Sequence, residues 1–196
     1  MKMTVFFFCF FLSVFYVKAQ QYKKPELPVE ERVQDLLSQM TPEEKFRQLF
    51  MIPGDIGYDT TLFNSGIFGF QVNTDSRTEE PTAQLVQYKP DGSAFESAKK
   101  INALQKFFRE ETRLGIPVIP FDEGLHGLVR KGATVFPQAI GLAATFNPNL
   151  VHDVAKAIAM ESVSRGIRQI LSPVVNVAID VRWGRTEETY GEDPLL

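Results

Sequence analysis

The strongest constraint on the fold of this chain is an alternation of short apolar segments with long amphipathic helical patterns. Residues 66–70, 117–121 and 169–177 have the apolar composition of buried strands. Between them, helical patterns run over about 93–113 and from 147 to 166. Neighbouring parallel strands need a crossover connection, which a helix supplies with the correct hand. The alternation therefore predicts an α/β fold with a parallel sheet.

The apolar spacing also predicts which residues face inward. A first helix from Val29 is expected to stop near Thr41, and Thr41 with Pro42 and Glu44 forms the capping box of a second helix. Residues 73–92 have the composition of a surface loop. The second helix carries Phe46, Leu49 and Phe50 on its apolar side. In the next helix Ile101, Leu104, Phe107 and Phe108 form the inward stripe, and in the last helix one face is formed by Leu150, Val151, Val154, Ile158 and Ala159.

The N-terminus has the pattern of a secretory signal peptide. Lys2 precedes an apolar run over residues 5–17, and 17–19 fit a signal peptidase site. The run is shorter than the roughly 20 residues of a membrane span, so a cleaved signal peptide is favoured and an uncleaved anchor is the alternative. We expect cleavage of residues 1–19, export to the periplasm or the medium, no stable membrane span afterwards, and a polar, proline-bearing linker over 20–28.

The mature composition narrows the classes of function. The only cysteine, Cys9, lies inside the apolar run, so the mature chain has no disulfide and no thiol nucleophile. Removal of residues 1–19 takes away Lys2 and Lys18 and no acid, which leaves 19 basic and 24 acidic residues and a net charge of −5. Nucleic acid is therefore not an expected partner.

Two polar clusters follow predicted strands. The first, FDEGLHGL at 121–128, places Asp122, Glu123 and His126 within a few positions of a strand end. In a parallel barrel this is the side that carries the active site. Carboxylates accept hydrogen bonds from sugar hydroxyls, and ionised acceptors form the stronger bonds. The pattern alone fits a polar ligand site and a solvated turn equally well.

The second cluster, DVRWGRTEETYGED at 180–193, combines two arginines, five acids, Trp183 and Tyr190. An arginine fork binds neighbouring hydroxyls or a carboxylate, and flat aromatic rings stack on sugars. A ligand site is favoured over an internal network of salt bridges. No histidine pair with metal-ligand spacing, no phosphate-binding glycine loop and no serine nucleophile elbow is present in the sequence, so no metal and no cofactor is expected.

Four blocks in order resemble the N-terminal domain of family 3 glycoside hydrolases: RVQDLLSQMTPEEKFRQL, RLGIPVIPFDEGLHG, ATVFPQAIGLAATFNPNLV and LSPVVNVAIDVRWGRTEETYGEDP. The resemblance implies a retaining exo-acting β-glycosidase, β-glucosidase-like, whose first domain is a (β/α)8 barrel or a close variant. Such a barrel needs about 250 residues. Residues 29–196 are thus expected to be the N-terminal part of a TIM-type barrel that is incomplete in this chain.

The resemblance also implies roles for individual residues. Glu123 and Arg185 correspond to substrate-binding positions for the terminal sugar of a β-glycoside. The supporting residues are Asp122, His126, Arg182, Trp183, Glu188, Tyr190, Glu192 and Asp193. The nucleophile and the acid/base lie after Leu196 in this pattern, so no catalytic residue is expected within the chain, and the fragment alone is expected to be inactive. A β-xylosidase and a non-catalytic sugar-binding module are the alternatives.

Overall fold

A computed structural model describes residues 20–54, 56, 59–72, 74–75, 87–88 and 92–195. The predicted signal peptide, 1–19, lies outside the described residues. Internal contacts divide the chain into two units, one up to Met40 and one from Thr41 onward, and each is described by itself. No helix within the described residues is long and apolar enough to cross a membrane.

The described chain contains five α-helices and six short strands. The helices are α1 Val29–Gln39, α2 Pro42–Arg47, α3 Ala94–Glu110, α4 Ala139–Ala143 and α5 Pro148–Ser164. The strands are β1 Met51–Pro53, β2 Gly69–Gln71, β3 Thr74–Asp75, β4 Gln87–Tyr88, β5 Ile119–Asp122 and β6 Gln169–Ile170. Among these, β1, α4 and the antiparallel β3–β4 pair were not predicted from the sequence.

The first unit is built on α1, which confirms the helix predicted from Val29. A 3-10 turn at Gln21–Lys23 packs on it. The backbone amide of Tyr22 donates to Asp35 Oδ2 at 2.9 Å, and Arg32 Nε donates to the Tyr22 carbonyl at 2.8 Å. Residues at the start of the predicted linker are thus bound to α1, and the division into linker and domain stays a prediction.

The second unit begins with the predicted capping box. The Glu44 amide donates to Thr41 Oγ1 at 3.2 Å, and the Thr41 amide donates to Glu44 Oε2 at 2.8 Å. The predicted apolar side of this helix is largely exposed, and two of its three residues lie outside the helix. Helix α2 ends at Arg47, so Leu49 and Phe50 lie beyond it, and Phe46, Leu49 and Phe50 are 55%, 79% and 40% exposed.

The main sheet has four parallel strands in the order β1-β2-β5-β6. Strand β2 is one of the two interior strands, since Phe70 pairs with Ile52 on one side and with Pro120 on the other. Gly69 is required there, because a Cβ at this position would lie 2.4 Å from the carbonyl oxygen of Ile119. The parallel pairing confirms the predicted α/β class.

Helix α3 packs against the sheet and supplies three of the ten residues in the main buried cluster of the described chain. Ile101, Leu104 and Phe108 are buried, as predicted, and Phe107 packs against them partly exposed. Phe108 has no exposed surface, and its ring centroid lies 5.7 Å from that of Phe70. Aromatic contacts between Phe108 and Phe70 therefore pack α3 against strand β2.

Helix α5 leads into the last strand. Asn147 caps it by accepting from the Leu150 amide at 3.1 Å, and Val154 and Ile158 are buried. Leu150 and Ala159, which belong to the predicted apolar face, are exposed.

The prediction of a buried strand over 169–177 is wrong in extent. Only Gln169 and Ile170 pair, with Phe121 and Asp122, and Val175 is 82% exposed. Strand β5 ends at Asp122, so the pairing with β6 ends there as well.

Candidate functional site

The candidate site lies at the C-terminal ends of β5 and β6. Parallel strands bring their carboxyl ends to one edge of the sheet, where active sites of such folds are built. The loop 123–129 leaves β5 at this edge. Gly127 has φ 111°, and a Cβ there would lie 2.2 Å from the Thr134 carbonyl oxygen. The His126 carbonyl accepts from the Phe136 amide at 2.7 Å, and this hydrogen bond connects the loop to the segment that follows it.

A cavity of about 340 Å³ opens beside this loop. It brings together Glu123 and Arg185, which come from segments far apart in the sequence. Its volume is near the lower end of the range of roughly 300–1,000 Å³ for small-molecule sites. The lining residues are Glu123, Gly124, Leu125, His126, Gly127, Val129, Gln138, Arg185, Glu187 and Glu188.

Glu123 is the half-buried acceptor of this cavity. Burial raises the pKa of its carboxyl above the usual range, and the negative charges of Asp122 and Glu188 raise it further. The positive charge of Arg185 acts in the opposite direction. The carboxyl is thus less well solvated than a surface glutamate and gains more from a bound hydrogen-bond donor.

Arg185 is held at the cavity by Glu188. Its Nε donates to both carboxylate oxygens of Glu188 at 3.0 Å, and the hydrogen-bonded carboxylate raises the pKa of the guanidinium. The guanidinium carbon lies 5.8 Å from the ring centroid of Trp183. Glu188 and Trp183 therefore restrict the orientation of an otherwise exposed arginine.

Asp122 does not line the cavity but lies beneath it, almost fully buried. Its Oδ1 accepts from Arg130 Nη2 at 2.6 Å, from Gln71 Nε2 at 3.1 Å and from the Glu123 amide at 2.9 Å. Arg130 and Gln71 were not predicted from the sequence. No spacing signal marks either residue, since the contact depends on the packing of β2 beside β5.

The other supporting residues separate into two groups. His126 and Glu188 line the cavity. Arg182 is 87% exposed at its side chain, pairs with Asp180 at 2.6 Å and does not line it. Tyr190 lines two apolar cavities instead, the larger of about 440 Å³.

Glu192 and Asp193 are exposed, and Asp193 accepts from the Leu195 amide at 2.9 Å. Gln138 and Glu187 are polar lining residues that the sequence analysis did not single out. The predicted second cluster thus contains both a cavity wall and local salt bridges. The assigned roles of all these residues stay predictions.

Comparison with known proteins gives consistent matches. The family model of the glycosyl hydrolase family 3 N-terminal domain matches residues 43–196. Beta-glucosidase C of Emericella nidulans is 32% identical over 193 residues, which cover 89% of this chain and 29% of that protein. A periplasmic beta-glucosidase/beta-xylosidase of Dickeya chrysanthemi is 30% identical over 188 residues, which cover 91% of this chain and 28% of that protein.

A solved structure, the β-glucosidase EmGH1 of Erythrobacter marinus, matches with a TM-score of 0.70 and 33% identity. The match covers 90% of this chain and 22% of that one. The prediction that the α/β fold is part of a TIM-type barrel is confirmed. The chain spans less than a third of the length of the relatives it matches.

Proposed function

This chain belongs to glycosyl hydrolase family 3, and from that premise we propose that the protein containing it is a retaining exo-β-glycosidase, β-glucosidase-like, acting on terminal non-reducing sugars. The observation that carries the proposal is the shared cavity of Glu123 and Arg185 at the sheet edge. An ionised acceptor and a fork of donors on opposite segments suit a ring that carries several hydroxyls.

In this proposal Glu123 accepts hydrogen bonds from sugar hydroxyls and Arg185 donates to a neighbouring one. Both contacts involve an ionised partner and are stronger than neutral ones. Bonds to hydroxyls close to the anomeric carbon strengthen as the oxocarbenium-like transition state forms. The cavity therefore contributes to the rate and not only to affinity.

We assign neither bond-breaking role to Glu123. Retaining hydrolysis requires two carboxyl groups about 5 Å apart across the scissile bond. Asp122 lies outside the cavity lining with its Oδ1 bonded to three donors, and Glu188 is bonded to Arg185, and we assign the nucleophile role to neither. The origin of the nucleophile and of the acid/base in residues after Leu196 stays a prediction.

The full-length protein should release nitrophenol from p-nitrophenyl β-glycosides and not from the α-anomers. We expect Glu123→Ala to lower kcat/KM by roughly 100-fold or more, because a charge-assisted contact to the sugar is lost. Azide should not restore the activity of this variant. Rescue by azide would place Glu123 in a bond-breaking role and contradict the assignment. If Glu123→Ala shows wild-type kinetics, the cavity does not bind the sugar as proposed.

The choice between a glucoside and a xyloside depends on whether the site has space for one additional group on the sugar ring. A glucosyl unit carries a hydroxymethyl group that a xylosyl unit lacks, and the Dickeya relative is named for both activities. We propose a preference for glucosides, with β-xylosidase as the alternative. The ratio of kcat/KM for the two p-nitrophenyl β-glycosides measures this directly, and a ratio in favour of xyloside selects the alternative.

We propose further that the protein is exported. The relative from Dickeya is named as periplasmic, in accord with the signal peptide predicted over residues 1–19. Mass spectrometry of protein from the native cells should find a mature N-terminus near Gln20. A chain that retains Met1 would contradict this proposal.

A further inference from the structure

A buried ion pair lies beneath the cavity and has no part in the sugar contacts proposed above. The side chains of Asp122 and Arg130 are 3% and 4% exposed, and Arg130 Nη2 lies 2.6 Å from Asp122 Oδ1. Charges removed from water to this extent are costly, and hydrophobic replacements of similar volume are often as stable. Stability alone therefore does not account for the pair.

The pair connects both ends of the cavity loop to the sheet. Asp122 is the last residue of β5, and Arg130 follows directly after the loop 123–129. Gln71, the last residue of β2, donates to the same Oδ1 at 3.1 Å. One carboxylate oxygen thus joins two neighbouring strands and the far end of the loop.

The same oxygen also fixes the residue that faces the cavity. It accepts from the backbone amide of Glu123 at 2.9 Å, so the main chain of Glu123 is oriented by the side chain that precedes it. Arg130 in turn fixes that side chain and donates through Nη1 to the Val129 carbonyl at 3.0 Å. Its planar fork holds two contacts at a fixed angle, which a lysine does not reproduce.

We propose that Arg130 is a positioning residue for sugar binding, which acts through Asp122 to hold Glu123 and the loop 123–129 in place against the cavity. The inference rests on the proposed sugar-binding role of Glu123. Displacement of a positioned group by about 1 Å can lower a rate by roughly 100-fold, although the displaced support never touches the substrate.

The test compares Arg130→Lys with Arg113→Lys in the full-length protein. Arg113 pairs with another buried carboxylate, that of Glu44, which is 8% exposed at its side chain. Neither Arg113 nor Glu44 lines the cavity. Both substitutions retain the positive charge and remove the fork. The Arg113 side chain is 53% exposed and that of Arg130 is 4% exposed, so Arg113→Lys controls for loss of the fork and not for burial. Arg130→Gln is the stronger variant, and Arg130→Lys keeps the test valid where Arg130→Gln does not fold.

Two measurements decide the outcome. For aryl β-glucoside, Arg130→Lys should lower kcat/KM by roughly 10- to 100-fold, whereas Arg113→Lys should leave it within about twofold of wild type. Amide hydrogen exchange at Glu123 should accelerate by at least about 10-fold in Arg130→Lys only, since the hydrogen bond to Asp122 is then less constrained. Wild-type kcat/KM in a folded Arg130→Lys variant would overturn the proposal.

Exchange separates failure of this inference from failure of the proposed function. If the wild-type protein hydrolyses no β-glycoside, the proposed function fails, and the exchange rate at Glu123 still reports whether Arg130 holds the loop. Unchanged exchange at Glu123 and over 124–129 in Arg130→Lys would overturn the positioning role whether or not the protein is active.

Discussion

Replacement of Glu123 by glutamine separates the charge of this side chain from its shape. Glutamine has nearly the same size and keeps one carbonyl acceptor, but it carries no charge. A hydrogen bond to a charged group contributes about 1.5–3 kcal/mol and a neutral one about 0.5–1.5 kcal/mol. The difference is about 1 kcal/mol for each hydrogen bond, so the loss is about 2 kcal/mol if each of the two carboxylate oxygens accepts from one hydroxyl. We therefore expect Glu123→Gln to lower kcat/KM at pH 7 by roughly 30-fold.

The pH dependence of this loss is the sharper test. Protonated Glu123 resembles glutamine, so the ratio of wild-type to Glu123→Gln kcat/KM should fall toward about 1 as the pH drops through the Glu123 pKa. Burial raises that pKa, so the midpoint of the fall should lie above 4.5, the ordinary value for glutamate. Ionisations common to both proteins cancel in the ratio. Initial rates on aryl β-glucoside from pH 4 to 8 measure it.

Stability should change in the opposite direction from activity. Because the folded-state pKa of Glu123 is raised, the folded protein binds the proton more tightly than the unfolded chain does, and the contribution of this group to stability falls as the pH rises through that pKa. At pH 7, Glu123→Gln should therefore melt at the same or a higher temperature than wild type. A rate ratio that stays constant with pH, or a lowered melting temperature at pH 7, would refute the reasoning.

Three further predictions concern the cavity wall and the core. Arg185→Lys should lower kcat/KM by roughly 10-fold or more with little change in melting temperature, because lysine cannot bind Glu188 and a hydroxyl as a planar fork; equal kinetics would contradict this. Phe108→Ala should destabilise the fold by about 3–5 kcal/mol in urea titration, since the ring has no exposed surface, and a loss below about 1 kcal/mol would contradict the described core. Gly127→Ala should disrupt the cavity loop and lower both melting temperature and kcat/KM, because its Cβ would lie 2.2 Å from the Thr134 carbonyl oxygen. Gly132→Ala, at φ 72° and with no atom beyond its chain neighbours within 4 Å of its Cβ, is the control at a positive φ without a clash.

Local signals in the sequence were sufficient for the helices with strong caps. The capping box of Thr41 and Glu44, the start of α5 near residue 147 and the buried stripe of α3 are all observed as predicted. Each of these features depends on residues within a few positions of one another, so a short stretch of sequence is enough to predict it. The parallel sheet was also predicted from the sequence, because helices of this length between strands leave few other ways to connect them.

The features that were not predicted depend on contacts between residues distant in the sequence or on where an element ends. Strand β1 has only three residues and exists through its pairing with β2, and β6 is short because β5 ends at Asp122. Leu49 and Phe50 have helical spacing, but α2 ends before them. For the same reason Arg130 was not found, since only the packed loop brings it to Asp122.

The central proposal, a retaining β-glycosidase with its sugar site at Glu123 and Arg185, is tested most directly by the configuration of the first product. The full-length protein and p-nitrophenyl β-glucoside should be followed by proton NMR from the first minutes, before the released sugar mutarotates. Two successive displacements at the anomeric carbon restore its configuration, so the β-anomer of glucose should appear first, and Glu123→Ala should greatly slow its appearance. Initial release of the α-anomer, or no release of sugar from any β-glycoside, would contradict the account.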